Sequence, residues 1–317
     1  MVRIAYLGPE GTFTEAALLR MAAAGVLPCD GEVSPQPTET TPAAIEAVRS
    51  GAADFACVPI ENSIDGSVIP SLDSLAVGSP LQIYAELTLD VAFSIVVRPG
   101  LTAAEVRTIA AFPVAAAQVR QWLAAEMPQA AVVPTNSNAS AARDVADGRC
   151  DAGVSTALAA RRYGLPTLVE GVVDEPNART RFVLVGPPGR PPVRTGNDRT
   201  SVVLRLDNVP GALVSAMTEF STRGIDLTRI ESRPTRTGLG TYMFFLDCVG
   251  HIDDEAVAEA LKALHRRCAD VRFLGSWPTG VTQGTPPPTL DQTPSADELP
   301  NRDAADRWLT RLREGVA

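Results

Sequence analysis

The run Leu81-Gln-Ile-Tyr-Ala-Glu-Leu-Thr-Leu-Asp-Val-Ala-Phe-Ser-Ile-Val-Val97 interrupts an otherwise regular alternation of strands and helices. Rich in Ile, Val, Thr and Phe, it reads as one or two strands with no helix between them. On its N-terminal side, Val2 to Leu7 is a strand and Thr14 to Ala24 a helix stopped by Gly25. Thr41-Pro42 opens a helix with a capping hydroxyl and a proline in the first turn, and Gly51 closes it. Phe55 to Val58 is the next strand, followed by a helix from Ser67 to Ala76. Beyond Pro99-Gly100 the alternation resumes: helix Val114 to Ala125, strand Ala131 to Val133, helix Ser137 to Asp147, strand Asp151 to Val154, helix Thr156 to Tyr163 and strand Phe182 to Val185. Such alternation predicts parallel α/β layers, and the interruption predicts two lobes with a cleft between them. We expect lobe one to hold residues 1–80 and 173–186 and lobe two residues 81–172. The last strand then returns to lobe one and brings Thr180 beside Gly8 and Glu61.

Pro187-Pro-Gly-Arg-Pro-Pro192 through Asp198 is a linker by composition. The unit after it, residues 199–277, follows a different order. Strand Thr200 to Leu206 leads through Asn208-Val-Pro-Gly211 into a helix ending near Gly224. Strands Ile225 to Arg233 and Tyr242 to Val249 flank a turn at Thr237-Gly-Leu-Gly240, and helix Asp253 to His265 precedes strand Val271 to Trp277. That βαββαβ order is the ferredoxin-like split arrangement. Residues 278–317 form a Pro-rich tail, expected to be disordered apart from a short helical face of Ala304, Ala305, Trp308, Leu309 and Leu312.

Composition narrows the chemistry. With 45% hydrophobic and 21% charged residues in 317, the chain is an ordinary globular protein. No apolar run approaches the ~20 residues of a membrane helix. The opening Met-Val-Arg-Ile-Ala-Tyr enters a strand without the separate regions of a secretory signal, so a cytoplasmic protein is expected. A net charge of −9 argues against a nucleic-acid surface. Lys262 is the only lysine, which excludes Schiff-base chemistry from the α/β part. Both histidines, His251 and His265, come late, so a Ser-His-Asp triad or a His-built metal site is unavailable there. Cys29, Cys57, Cys150, Cys248 and Cys268 lie far apart with no Cys-x-x-Cys spacing and read as small buried hydrophobes. Hydroxyls, carboxylates, amides and arginine remain.

Those groups concentrate in three places. Gly8-Pro-Glu-Gly-Thr12-Phe13-Thr14 follows the first strand; Glu61-Asn62-Ser63-Ile-Asp-Gly-Ser67 follows the strand ending at Val58; Thr180-Arg181-Phe182 opens the last. In open α/β sheets ligands bind at the carboxyl ends of the strands. Hydroxyl donors with a guanidinium suit a small, anionic, oxygen-rich ligand.

Together these words resemble the signature of the prephenate dehydratase family. Gly211-Ala212-Leu213 and Glu231-Ser232-Arg233-Pro234 are similar to its ACT-type regulatory domain. The resemblance spans residues 1 to about 277 in the family's order. It implies a periplasmic-binding-protein-like two-lobed catalytic domain over residues 1–186 and an ACT regulatory domain over 199–277. The implied activity converts prephenate to phenylpyruvate with loss of carbon dioxide and water. Feedback control by L-phenylalanine, a homodimer or homotetramer, and the absence of any cofactor or metal are implied as well. Two departures stand out. Phe112-Pro113 occupies the place of the family's His-Pro pair, and Asn177 lies one residue further from Thr180 than in Asn-x-Thr-Arg-Phe.

The resemblance and the chemistry together assign provisional roles. Expelling a carboxylate and a hydroxyl from a cyclohexadiene makes an aromatic ring, so the protein has chiefly to help the hydroxyl leave and to hold the ring. Thr180 is expected to donate to the departing oxygen. Arg181 is expected to clamp a carboxylate bidentately, with Phe182 beside it. Thr12, Phe13, Asn62, Ser63 and Ser137 are expected substrate contacts through turn and helix-start amides. Glu61 belongs to the same group; a carboxylate repels an anionic substrate, so it is either a structural residue or protonated. Asn208, Gly211, Ala212, Leu213, Glu231, Ser232, Arg233 and Pro234 are the expected phenylalanine site. Arogenate dehydratase and a non-catalytic two-lobed amino-acid or solute sensor are the competing readings. A chain ending near Pro187 is expected to keep turnover and lose its response to phenylalanine.

Overall fold

The structure, a computed structural model, describes residues 1–28, 31–236, 238 and 240–279. Cys29, Asp30, Thr237, Leu239 and the tail from residue 280 lie outside the described residues, and with them the reading of a disordered tail with a helical face. No helix among the described residues is long and apolar enough to cross a membrane.

Lobe one begins with β1 (Val2–Leu7), α1 (Phe13–Ala23), β2 (Val33–Thr38), α2 (Thr41–Arg49), β3 (Phe55–Asn62), the short β4 (Gly66–Ser67), α3 (Ile69–Ala76) and β5 (Gln82–Asp90). Lobe two follows as β6 (Phe93–Val97), β7 (Thr108–Ala111), α4 (Pro113–Gln118), α5 (Arg120–Glu126), β8 (Ala131–Pro134), α6 (Asn138–Ala146), β9 (Ala152–Ser155), α7 (Ala157–Arg162) and β10 (Thr167–Val172). β11 (Arg179–Gly186) returns to the first sheet, whose order is β2-β1-β3-β11-β5 with β4 on β3; the second sheet runs β10-β6-β9-β7-β8.

Lobe two therefore starts later than expected. β5 pairs antiparallel with β11 along its whole length, so residues 82–90 belong to lobe one, and the chain crosses between β5 and β6. Apolar residues fill both halves of the opening run, and only the pairing of Asp90 with Arg179 separates them. Three other sequence readings also change. The polar word Pro59 to Asn62 lies within β3 rather than after it. The helix expected from 114 to 125 is two helices broken at Val119. β2, with its two prolines, is an edge strand that periodicity did not reveal.

The third unit comprises β12 (Asp198–Arg205), α8 (Ala212–Ser221), β13 (Leu227–Pro234), β14 (Tyr242–Val249), α9 (Glu255–Arg267) and β15 (Asp270–Pro278), in antiparallel order β13-β14-β12-β15. This is the ferredoxin-like arrangement. α8 and α9 cover one face, where Leu204, Phe220, Leu246 and Leu264 are buried. The other face packs on lobe one: Val203, Met243, Phe245, Leu274 and Trp277 share one apolar cluster with Val58, Ile83 and Val183. At Gly275 a Cβ would sit 2.4 Å from the carbonyl oxygen of Ile83, so only glycine lets β15 approach β5 this closely. Arg272 donates to the carbonyls of Leu75, Val77 and Gly78 at 3.0–3.1 Å, satisfying the exposed end of α3 from the third sheet.

Candidate active site

Between the two α/β lobes lies a cleft of about 870 Å³. Lobe one supplies the β1–α1 turn (Gly8, Pro9, Thr12, Phe13), the β2–α2 turn (Thr38, Glu39, Thr40), Pro59 and Asn62 of β3, and Thr180 and Phe182 of β11. Lobe two supplies Phe93, Phe112, Val114 and Gln118 on one side and Asn136, Ser137, Asn138, Ser140 and Arg143 on the other. Phe13 and Phe93 meet edge to face across the lobes, with centroids 5.6 Å apart, and give the cleft an aromatic wall.

Thr180 is nearly buried and lies opposite Asn62 in the β3–β11 pair. Asn62 Nδ2 donates to Thr180 Oγ1 at 2.9 Å. The amide orientation is determined at its other end, where Asn62 Oδ1 accepts from the backbone N–H of Ile64 at 2.8 Å and of Asp65 at 3.0 Å. Thr180 Oγ1 is thus an acceptor towards Asn62, and its own proton is free for the cleft.

Side chains alternate faces along a strand. With Thr180 and Phe182 on the cleft, Arg181 points to the opposite face. It does not line the cleft, and the expected carboxylate clamp is corrected. Its guanidinium pairs with Glu61 at 2.9 Å, Asp247 at 2.7 Å and Glu86 at 3.3 Å. The same alternation takes Glu61 off the cleft, so Glu61 is no substrate contact but one arm of this ion cluster. Ser63 is corrected too: its Oγ donates to the Asn177 carbonyl at 3.1 Å and accepts from Arg179 N–H at 2.9 Å, closing the strand ends outside the cleft. Asn177 contributes its backbone there.

Thr12 caps α1, accepting from Glu15 N–H and donating to the Leu7 carbonyl at 2.8 Å, so its hydroxyl proton is committed. Ser137 caps α6 by accepting from Ser140 N–H at 3.0 Å, and it also donates to Ser140 Oγ at 2.9 Å. Both caps aim a helix N-terminus at the cleft, a disposition that favours anions. Phe112, in the place of the family's histidine, lines the cleft as an apolar group.

Arg143 and Gln118 are among the lining residues that escaped the sequence reading. Arg143, on α6, is the one cation lining the cleft among the described residues, and its guanidinium has no partner there. The i, i+3 spacing from Ser140, which also lines the cleft, places both on one helix face, a signal available in the sequence. Gln118 is buried; its Nε2 donates across the lobes to Asp65 Oδ2 at 3.0 Å, and its Oε1 has no partner. Asn138 Oδ1 is likewise buried and unpartnered. Buried polar atoms without partners are uncommon, and here two of them sit in the cleft wall.

In the third unit Gly211 adopts φ +81° at the start of α8. Glu231 accepts from Ser67 Oγ at 3.0 Å, and Arg233 is bidentate to Asp73 at 3.0 and 3.2 Å, so both reach lobe one. No hydrogen bond or ion pair among the described residues joins residues 208–213 to 231–234. Within one chain the expected phenylalanine set lies at one end of the sheet, where Arg205 and Arg233 both pair with Met243, and Ser232 and Pro234 are exposed along the edge strand β13.

A two-lobed α/β cleft with a hydroxyl aimed into it, carried together with a ferredoxin-like unit, defines a small-molecule enzyme with an appended ACT-type domain. Residues 4–190 match the family Prephenate dehydratase and residues 200–266 the ACT domain. The chain belongs to the prephenate dehydratase family. It is 70% identical over 319 residues to the prephenate dehydratase of Mycolicibacterium gilvum, covering 99% of each chain. The crystal structure of prephenate dehydratase from Arthrobacter aurescens in complex with L-Phe matches with a TM-score of 0.81 at 37% identity, over 99% of this chain and 100% of that one. A structure described as GqqA, a novel type of quorum quenching acylase, matches with a TM-score of 0.77 at 31% identity, over 88% and 98%.

Proposed function

We propose that the chain converts prephenate to phenylpyruvate, carbon dioxide and water in L-phenylalanine biosynthesis, and that L-phenylalanine inhibits it. The observation carrying this reading is the free proton of Thr180 in a cleft with aromatic walls and one unpartnered cation. As the ring carboxylate leaves as carbon dioxide, its bonding pair enters the ring and the C–O bond to the hydroxyl breaks. The departing oxygen takes up a proton. Thr180 donates to that oxygen as its charge grows, and Asn62, hydrogen-bonded to Thr180 Oγ1, supports the shift. Arg143 and the amides at the starts of α1 and α6 hold the two carboxylates. Phe13, Phe93, Phe112 and Phe182 pack the ring, and the unpartnered Gln118 and Asn138 oxygens accept from substrate hydroxyl or bound water.

Residues 1–186 form the catalytic domain and residues 199–277 the regulatory one, in a cytoplasmic enzyme. A second copy completes the phenylalanine site in a homodimer or homotetramer, bringing residues 208–213 of one subunit to residues 231–234 of the other; the exposure of Ser232 and Pro234 on the edge strand β13 supports that arrangement. The test is incubation of purified protein with prephenate, following phenylpyruvate absorbance in alkali, with arogenate as the parallel substrate. Turnover of prephenate supports the reading; turnover of arogenate alone changes the substrate; no product from either overturns it.

A further inference from the structure

Behind the cleft face of β11 lies a buried ion cluster whose side chains do not line the cleft. Arg181 is 7% and Asp247 1% exposed, which leaves little room for water between them. Arg181, Glu61 and Glu86 come from three adjacent strands of lobe one. Asp247, Arg229 and Arg199 come from three strands of the regulatory sheet. Arg229 grips Asp247 through Nε at 2.9 Å and Nη2 at 3.0 Å, and Arg199 reaches Glu86 at 2.7 Å. Three cations and three anions balance, so the cluster is neutral as a whole, and removal of any one leaves a buried charge uncompensated.

Its position gives it a role in catalysis. Thr180 faces Asn62, and Arg181 faces Glu61, on the same two rungs of the β3–β11 ladder. The cleft face of these rungs carries the reacting hydroxyl, and the back face carries the ion pair. Immediately beyond them the β3–β11 register shifts, with Phe182 opposite Pro59, so on the Asn62 side ladder bonding gives less support than a regular pair would, while at these rungs β5 pairs with β11 in regular register on the other side. The bond from Asn62 orients the Thr180 hydroxyl, and the backbone that carries it is held from the back face through Arg181, whose shortest contact is Asp247 of the regulatory sheet, at 2.7 Å.

We propose that Arg181 is a positioning residue, and that Asp247, outside the cleft and on the regulatory sheet, sets the rate of the dehydration by holding Arg181 and through it Thr180. This rests on the dehydratase reading above. Arg229 buttresses Asp247 but does not touch Arg181, so it separates positioning from plain stability.

The test compares the full-length chain with Asp247→Asn, Arg181→Lys and Arg229→Gln, measuring kcat and KM for prephenate and the thermal midpoint of each. Small misplacement of a catalytic group costs up to about 10²-fold. Asp247→Asn and Arg181→Lys are expected to lose about 10- to 10²-fold in kcat with KM within about twofold, the signature of an interaction felt in the transition state. Arg229→Gln is expected to lower the midpoint while keeping kcat within about threefold, since Arg181 keeps both its charge and its partner. Wild-type kcat in Asp247→Asn overturns the proposal. So does a loss of kcat in all three that simply follows the folded fraction. Should Asp247→Asn fail to fold, Arg181→Lys, which retains the cluster's neutrality, decides alone: unchanged kcat there overturns it. An inactive wild type would instead sink the dehydratase reading.

Discussion

Asn62 and Thr180 stand opposite each other on neighbouring strands, and the 2.9 Å bond from Asn62 Nδ2 to Thr180 Oγ1 determines which way the threonine proton can go. Because the Asn62 oxygen is held by two backbone N–H groups, its amide cannot turn over without losing both. Thr180 is thereby oriented as a donor to the cleft before any ligand arrives.

Thr180→Ala is expected to lower kcat by about 10²–10³-fold, the usual loss for one transition-state donor, with the thermal midpoint almost unchanged. Thr180→Ser, which keeps the hydroxyl, is expected to recover part of that loss. Wild-type turnover in Thr180→Ala would remove the residue from the mechanism.

Arg143→Gln tests the cation that lines the cleft among the described residues. A hydrogen bond to a charged group contributes about 1.5–3 kcal/mol, and Arg143 is solvent-exposed, so we expect the low end: about a tenfold rise in KM for prephenate. An unchanged KM in steady-state assays would assign the carboxylates to the helix starts alone.

Gly211→Val addresses regulation. No atom lies within 4 Å of a Cβ built there, so packing is not the obstacle; the left-handed φ of +81° is, and a β-branched residue tolerates it poorly. Inhibition by phenylalanine is expected to weaken while uninhibited turnover stays within about twofold, coupling energies being small beside the catalytic barrier. Equal inhibition of variant and wild type at the same phenylalanine concentration would put the effector elsewhere.

Truncation after Pro187 is expected to give little folded protein, the reverse of what the linker composition suggests. It strips Val203, Met243, Phe245, Leu274 and Trp277 from a cluster shared with Val58, Ile83 and Val183. Each large apolar side chain buried contributes about 1.5–3 kcal/mol, so the loss rivals the ~5–15 kcal/mol stability of a domain. Soluble, cooperatively melting 1–187 protein would show that lobe one closes without the third sheet.

Acid should act on Asp247. Burial pushes its carboxyl up, but Arg181 and Arg229 outweigh this and hold it well below the usual carboxylate range. A folded value below the unfolded one means the unfolded chain takes the proton first. The contribution is therefore complete above the unfolded pKa of about 3.9 and is lost as pH falls from there towards the folded value. Denaturation midpoints against pH should fall more steeply below about pH 4 in wild type than in Asp247→Asn, and parallel curves would contradict the assignment.

By itself the sequence determined the local elements and the places where polar words meet strand ends, because hydrophobic period, caps and turn residues act over a few positions. It carried the two α/β layers, the βαββαβ order and the choice of Thr180, Asn62 and Ser137 as cleft candidates. Which face each residue occupies was decided only by tertiary structure. In Thr180-Arg181-Phe182 three neighbours look equally available, yet strand alternation sends the outer two to the cleft and the arginine to Asp247, 66 residues away. Arg143 and Gln118 became visible once lobe two folded over lobe one, since their meaning lies in what stands opposite them. The linker at 187–198 reads as a boundary between independent units, and only the packing of β15 on β5 shows that the two share one core. Burial and charge pairing are properties of the surroundings, and the surroundings are set by strands far apart along the chain.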